Sequence, residues 1–119
     1  MKMEVFEQGE TSVWIRLEGR LDLKGVEEIQ LGFTVKASRS EKPVVIDLRD
    51  VAYVGSLGIA LIIEAAKKLR LRRSRLILFG ARPHIDELLR TAGVNELAEL
   101  MATEDDARSA VLAASGTPG

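Results

Sequence analysis

The 119 residues contain no cysteine, which removes a disulfide framework, a thiolate nucleophile, a zinc ribbon and an iron–sulfur site together. The only histidine is His84, so any Ser–His catalytic pair would depend on one ring. Neither charge sign prevails: 17 Lys and Arg stand against 18 Asp and Glu, for a formal net charge of −1. No whole-molecule field therefore draws the chain onto nucleic acid or acidic lipid, and any polyanion site must be local. No apolar run approaches the roughly 20 residues that a membrane span needs. The start, Met1 to Glu7, carries acids inside its apolar stretch and has no secretory h-region. The expectations are a cytoplasmic protein with no direct membrane insertion, no nucleic-acid partner, no metal and no cofactor.

What is present suits one compact α/β domain. With 46% hydrophobic residues, a chain of this size can bury roughly two thirds of its unfolded surface. Met3 and Val5, then Val13-Trp14-Ile15-Arg16-Leu17, alternate with period two around a turn at Gln8 to Thr11, which predicts an N-terminal hairpin. Val13, Ile15 and Leu17 point one way, so Trp14 and Arg16 face the other, where a helix or a partner would cover the indole. Gly19 to Lys24 reads as a turn in which Asp22 caps a helix carrying Val26, Ile29 and Phe33 and ending near Arg39.

Pro43 to Leu48 has the β-branched, nearly unbroken apolar pattern of a central strand, followed by a loop over Val51 to Gly55. A long helix is predicted over Ser56 to Arg72, a strand over Ser74 to Gly80, a short helix from Arg82 ending at Gly93, and a short strand around Ala98 to Met101. Thr103 then caps a last helix. The domain is expected over residues 1–114, with 115–119 as a flexible tail. Strands alternating with helices predict a mixed four- or five-stranded sheet, the hairpin on one edge and four helices mostly on one face.

The turn Val54-Gly55-Ser56-Leu57-Gly58-Ile59 joins a buried strand to an apolar helix and places Ser56 at the N-cap. There, free N–H groups and the positive end of the helix dipole converge on the hydroxyl. A phosphate on Ser56 would meet a favourable local field while adding about two negative charges to a small apolar surface. Ile59, Ile62, Ile63, Ala66 and Leu69 are expected to face the sheet, leaving Leu57, Ala60, Leu61 and Glu64 on the adjoining stripe as a partner surface.

Three other chemistries are weaker. Lys67 to Arg75 holds six cations without interleaved aromatics to stack bases, and a helix C-terminus favours cations in any case. An esterase elbow needs glycines two positions before and after the serine; Gly58 satisfies the second, while Val54 occupies the first. A phospho-aspartate receiver would need Asp47, Asp50 and Asp22 to gather around magnesium; as caps and turn residues they are already accounted for.

The ordered motifs resemble the STAS domain of the anti-sigma factor antagonist type. Gly19-Arg20-Leu21-Asp22 is similar to that family's Gly-x-Leu-Asp turn, and Val45-Ile46-Asp47-Leu48 to its strand ending in Asp-Leu. Tyr53 to Ile59 falls on the family's Asp-Ser-small-Gly-Leu segment, with Gly55 in place of the Asp and Leu57 in place of the small residue. Leu78-Phe79-Gly80 and Leu88 to Gly93 resemble the fourth strand and the helix after it. The resemblance implies a non-enzymatic partner switch that binds an anti-sigma factor with a serine-kinase fold and is phosphorylated by it. Ser56 is then the phosphoacceptor, and Asp22, Gly55 and Gly58 are its surroundings. A metal-dependent serine phosphatase reverses the step. A STAS subunit that binds a transporter or other scaffold partner without phosphorylation is the alternative.

Overall fold

The computed structural model describes residues 1–116. Five strands form one sheet in the order of the chain: β1 (Lys2–Gln8), β2 (Val13–Leu21), β3 (Val44–Val54), β4 (Leu76–Phe79) and β5 (Glu99–Met101). β1 is antiparallel to β2, and every later pairing is parallel. The hairpin therefore occupies one edge, as its alternation predicts. Helices α1 (Leu23–Phe33), α2 (Ser56–Leu71) and α3 (Pro83–Thr91) form the parallel crossovers, and α4 (Glu104–Gly116) closes the chain. The sheet is mixed and five-stranded.

The alternation in β2 divides two cores. Val13, Ile15 and Leu17 join the larger one with Phe33, Ile46, Ile62, Leu69, Ile85 and Leu89, so α1, α2 and α3 share that face. Trp14 points the opposite way, into a smaller layer with Val45, Ile77, Phe79 and the α4 residues Ala107 and Val111. The cover expected over the indole is thus α4 of the same chain. Thr103 Oγ1 accepts the Asp106 N–H (3.1 Å), capping that helix as expected.

Several boundaries differ from the sequence reading, each for a physical reason. β2 runs through Gly19 and Arg20 to Leu21, because the ladder to β3 continues across two irregularities in register, the second of them at Gly19, whose φ of +113° accommodates it. β3 extends to Val54 instead of stopping at Leu48, since Val51 and Val54 pair with Gly19 and Leu21. The predicted loop is the end of a strand. α1 gives way to one π-helical turn over Thr34–Ser38 before Arg39. Asp47 is no turn residue; it lies mid-strand and fully buried. Ser115 and Gly116 belong to α4, whereas residues 117–119 of the expected tail lie outside the described residues.

Candidate functional site: the turn between the sheet and the second helix

The ends of β2 and β3 deliver two helix N-termini side by side. Asp22 is the N-cap of α1: its Oδ1 accepts the Gly25 N–H at 2.9 Å. That bond, with the Arg20 guanidinium 3.3 Å from Oδ2, holds the carboxyl below its ordinary range. The neighbouring turn is tied on by Gly55, whose N–H donates to the Leu21 carbonyl at 3.0 Å. Asp22 therefore lies one residue beyond the backbone that anchors the Ser56 turn.

Ser56 is the first helical residue of α2 and not its cap. Gly55 takes the N-cap place with an extended backbone (φ −98°, ψ −177°) and accepts the Ile59 N–H through its carbonyl at 3.0 Å. The hydroxyl, freed from capping, makes no hydrogen bond among the described residues, and Ser56 is exposed. The first N–H groups of α2 have no intrahelical acceptor, so the positive end of the helix dipole opens beside that hydroxyl.

Gly58 sets how closely the two turns approach. A Cβ there would stand 2.8 Å from the Leu21 carbonyl oxygen and 2.7 Å from its Cγ. Alanine normally stabilises a helix relative to glycine; here Gly58→Ala is expected to lower stability by about 2 kcal/mol, because α2 must back away from β2. Urea unfolding checks this, and an alanine variant as stable as the parent removes the close-approach argument.

The apolar surface beside the hydroxyl is narrower than the sequence predicts. Leu57 is 48% exposed, and Ala60 and Glu64 are exposed, but Leu61 is only 6% exposed and belongs to the core. The buried stripe of α2 is Gly58, Leu61, Ile62, Ala65, Ala66 and Leu69, while Ile59 and Ile63 lie at its margin. The close seat at Gly58 explains the rotation: it turns the 58–62–65–69 side toward the sheet. Glu64 pairs with Lys68 at 2.8 Å along the helix.

Two further residues, Tyr53 and Arg20, complete this site through tertiary contacts. Tyr53 is exposed, and its ring covers Gly55, where a Cβ would come within 3.3 Å of the phenol oxygen. The space that a side chain at 55 would need is thus taken by tyrosine. Arg20 stacks over that ring, its guanidinium carbon 4.3 Å from the centroid, while its Nε reaches Asp22. The signal available was a tyrosine at a strand end two residues before the glycine; its register opposite Arg20 comes from strand pairing.

The residues of the rival chemistries are not gathered here. His84 is exposed, with Nε2 3.5 Å from the Ala52 carbonyl. Asp47 is bound by Arg16 and Arg49, away from Asp22. Among the described residues no group of three or more His, Asp or Glu could hold a metal ion, and no helix is long and apolar enough to cross a membrane.

Comparison with known proteins agrees with this geometry. The family model described as STAS domain matches residues 2–107. An anti-sigma-B factor antagonist of Listeria monocytogenes is 26% identical over 106 residues, covering 89% of this chain and 93% of that one. Among solved structures, an anti-sigma-factor antagonist (STAS) domain protein from Planctomyces limnophilus superposes with a TM-score of 0.77 at 21% identity, over 96% of this chain and 98% of that one. The Bacillus cell fate determinant SpoIIAA in its phosphorylated form gives 0.70 at 22% identity, over 92% and 99%. A five-stranded sheet with its hairpin edge, the paired turns at Asp22 and Ser56, and a family match over almost all its length show that this chain belongs to the STAS domain family, with its likeness to the anti-sigma factor antagonists.

Proposed function

We propose that this STAS domain is an anti-sigma factor antagonist that holds its partner through the Ser56 turn and lets go when Ser56 is phosphorylated. The partner is an anti-sigma factor with a serine-kinase fold, which supplies ATP and magnesium; a metal-dependent serine phosphatase restores the binding form. The chain itself is substrate and ligand. The observation that carries the reading is the exposed, unbonded Ser56 hydroxyl at the first turn of α2, with exposed Leu57 and Ala60 next to it.

The physics of release follows from that setting. In the free protein, a phosphate on Ser56 gains from the unpaired N–H groups and the dipole of α2 and remains in water. In a complex closed over Leu57 and Ala60 it would lose that water, at a cost of several kcal/mol unless a cation met it. Asp22, already charged, adds like-charge repulsion to any further anion on this end.

Ser56→Asp is expected to weaken binding to the anti-sigma factor by about tenfold or more, which is about 1.4 kcal/mol, while Ser56→Ala binds as the parent does. Calorimetry with the cognate kinase-fold protein measures both, and mass spectrometry after incubation with that protein and ATP locates the phosphate. Equal affinity for the Asp and Ala variants, or phosphate at another residue, sinks the switch.

A further inference from the structure

The helices that follow parallel strands all run back toward the strands' starting edge, so their C-termini collect at the end of the molecule opposite Ser56. That end is basic although the chain as a whole is not. Residues 67–75 hold six cations and no carboxylate, against a whole-chain charge of −1. Lys68 is paired with Glu64 and Arg75 with Glu99, and Arg70 reaches only the Glu96 carbonyl, at 3.4 Å. Lys67, Arg72 and Arg73 are exposed and have no carboxylate partner among the described residues. The π-helical turn over Thr34–Ser38 packs against α2 and brings exposed Lys36 to the same end.

The helix dipole accounts for Lys68 and Arg70 in the last turn of α2. It does not account for Arg73. This residue is the only non-glycine among those described with a left-handed backbone (φ +59°), at the place after a helix where glycine is the low-strain choice. The Ser74 N–H closes the turn on the Leu69 carbonyl at 2.8 Å. An arginine held there against its own backbone preference points to a use for its charge.

In the midst of these cations Leu71 is 85% exposed, and it forms with Leu97, Lys67 and Arg70 the wall of a shallow apolar hollow of about 340 Å³. Exposed Val35 lies beside Lys36 on the turn that packs against α2. Single-stranded nucleic acid would want aromatic platforms, whereas the exposed aromatic among the described residues, Tyr53, belongs to the Ser56 end, and a duplex backbone would use the cations without the leucine. Cations ringing an exposed leucine suit a surface with anionic headgroups over acyl chains.

We propose that this basic end docks on an anionic phospholipid surface, with Lys36, Lys67, Arg72 and Arg73 among the headgroups and Leu71 dipping between them. The contact is peripheral and leaves the Ser56 end facing away from the lipid, free for another protein. It goes beyond the partner switch and does not depend on it.

Sedimentation of the full chain with phosphatidylglycerol-containing vesicles, and with phosphatidylcholine vesicles as control, tests it. Binding is expected only to the anionic vesicles and is expected to be lost near 0.5 M salt, where screening is about 4 Å in range. The triple variant Lys67→Gln, Arg72→Gln, Arg73→Gly is expected to bind about a hundredfold more weakly, at about fivefold for each cation near the surface. Leu71→Ser should weaken binding about fivefold at unchanged charge. Arg73→Gly alone is expected to raise the melting temperature while lowering vesicle affinity, a divergence that a purely structural role would not produce. Ser56→Asp should bind vesicles as the parent does, which separates this proposal from the switch. No binding to anionic vesicles, equal binding by the triple variant, or equally tight retention by single-stranded DNA each overturns it.

Discussion

Trp14→Ala is expected to lower the unfolding free energy by about 4 kcal/mol, a large share of the 5–15 kcal/mol that domains of this kind possess. The indole is 1% exposed, and its N–H donates to Ser12 Oγ at 2.9 Å. Phe6 and Phe79 meet it edge-on at centroid distances of 6.1 and 5.9 Å, and the Arg108 guanidinium lies 4.1 Å above it. Removing it leaves α4 held by Ala107, Ala110 and Val111, by the Arg75 bond to the Ala110 carbonyl, and by the pairs of Arg108 with Glu7 and of Glu104 with Arg49, ion pairs that contribute little in water. Hydrogen exchange should therefore report α4 opening first, while α1, α2 and α3 keep their protection. Trp14→Phe, which retains a ring, is expected to lose less than half as much. A cost below about 1.5 kcal/mol for the alanine variant would show that α4 docks independently of the indole.

Asp47→Ala is expected to cost about 3 kcal/mol, because the carboxylate is buried in the middle of β3 and receives four donors. Arg49 supplies its backbone N–H and Nε to Oδ1, both at 3.0 Å, and Nη2 to Oδ2 at 2.8 Å, while Arg16 Nε reaches Oδ2 at 3.3 Å. Both arginine side chains retain access to water, which keeps the cost at the low end of the range for a broken buried pair.

The same site fixes a pH dependence. Burial pushes the Asp47 carboxyl upward, but the hydrogen bonds from the Arg49 side chain and backbone and from Arg16 outweigh it, so the folded value lies below that of an ordinary aspartate. A carboxyl depressed on folding stabilises the native state above its unfolded value, and the benefit fades as pH falls through the folded one. The parent should therefore lose stability on the acid side of the ordinary aspartate range, and Asp47→Asn should flatten that limb while being less stable at neutral pH. Parallel denaturant titrations at pH 7 and below pH 4 check both signs; a variant whose acid limb matches the parent's would place the proton uptake elsewhere.

The readable part of the site was what local patterns encode. Asp22 caps α1, and Gly93 ends the stretch after α3 with a left-handed backbone (φ +83°), because both roles depend on residues within a few positions. The sequence pattern puts Leu61 on the outer stripe because a helical wheel has no reference direction until something anchors it. The anchor is the Gly58 seat on Leu21, a contact between residues far apart in the chain. Arg20 over Tyr53 likewise depends on which strand residues face each other, and an irregularity in register between Gly19 and Arg20 moves that pairing by a step that periodicity does not record.

By itself the order of residues determined the alternation of strands with helices, the hairpin edge, the opposed directions of Ile15 and Trp14, and a small serine turn between sheet and helix. These follow from side-chain period, capping and the handedness of crossovers, which are short-range or topological constraints. Only the folded arrangement decided that the serine is a helix's first residue and not its cap, that Leu57 faces water while Leu61 does not, that α4 covers the indole, and that Lys36 joins the cations of residues 67–75 at one end. Those outcomes depend on how closely distant segments pack, and a distance across the core has no counterpart in the spacing of residues along the chain.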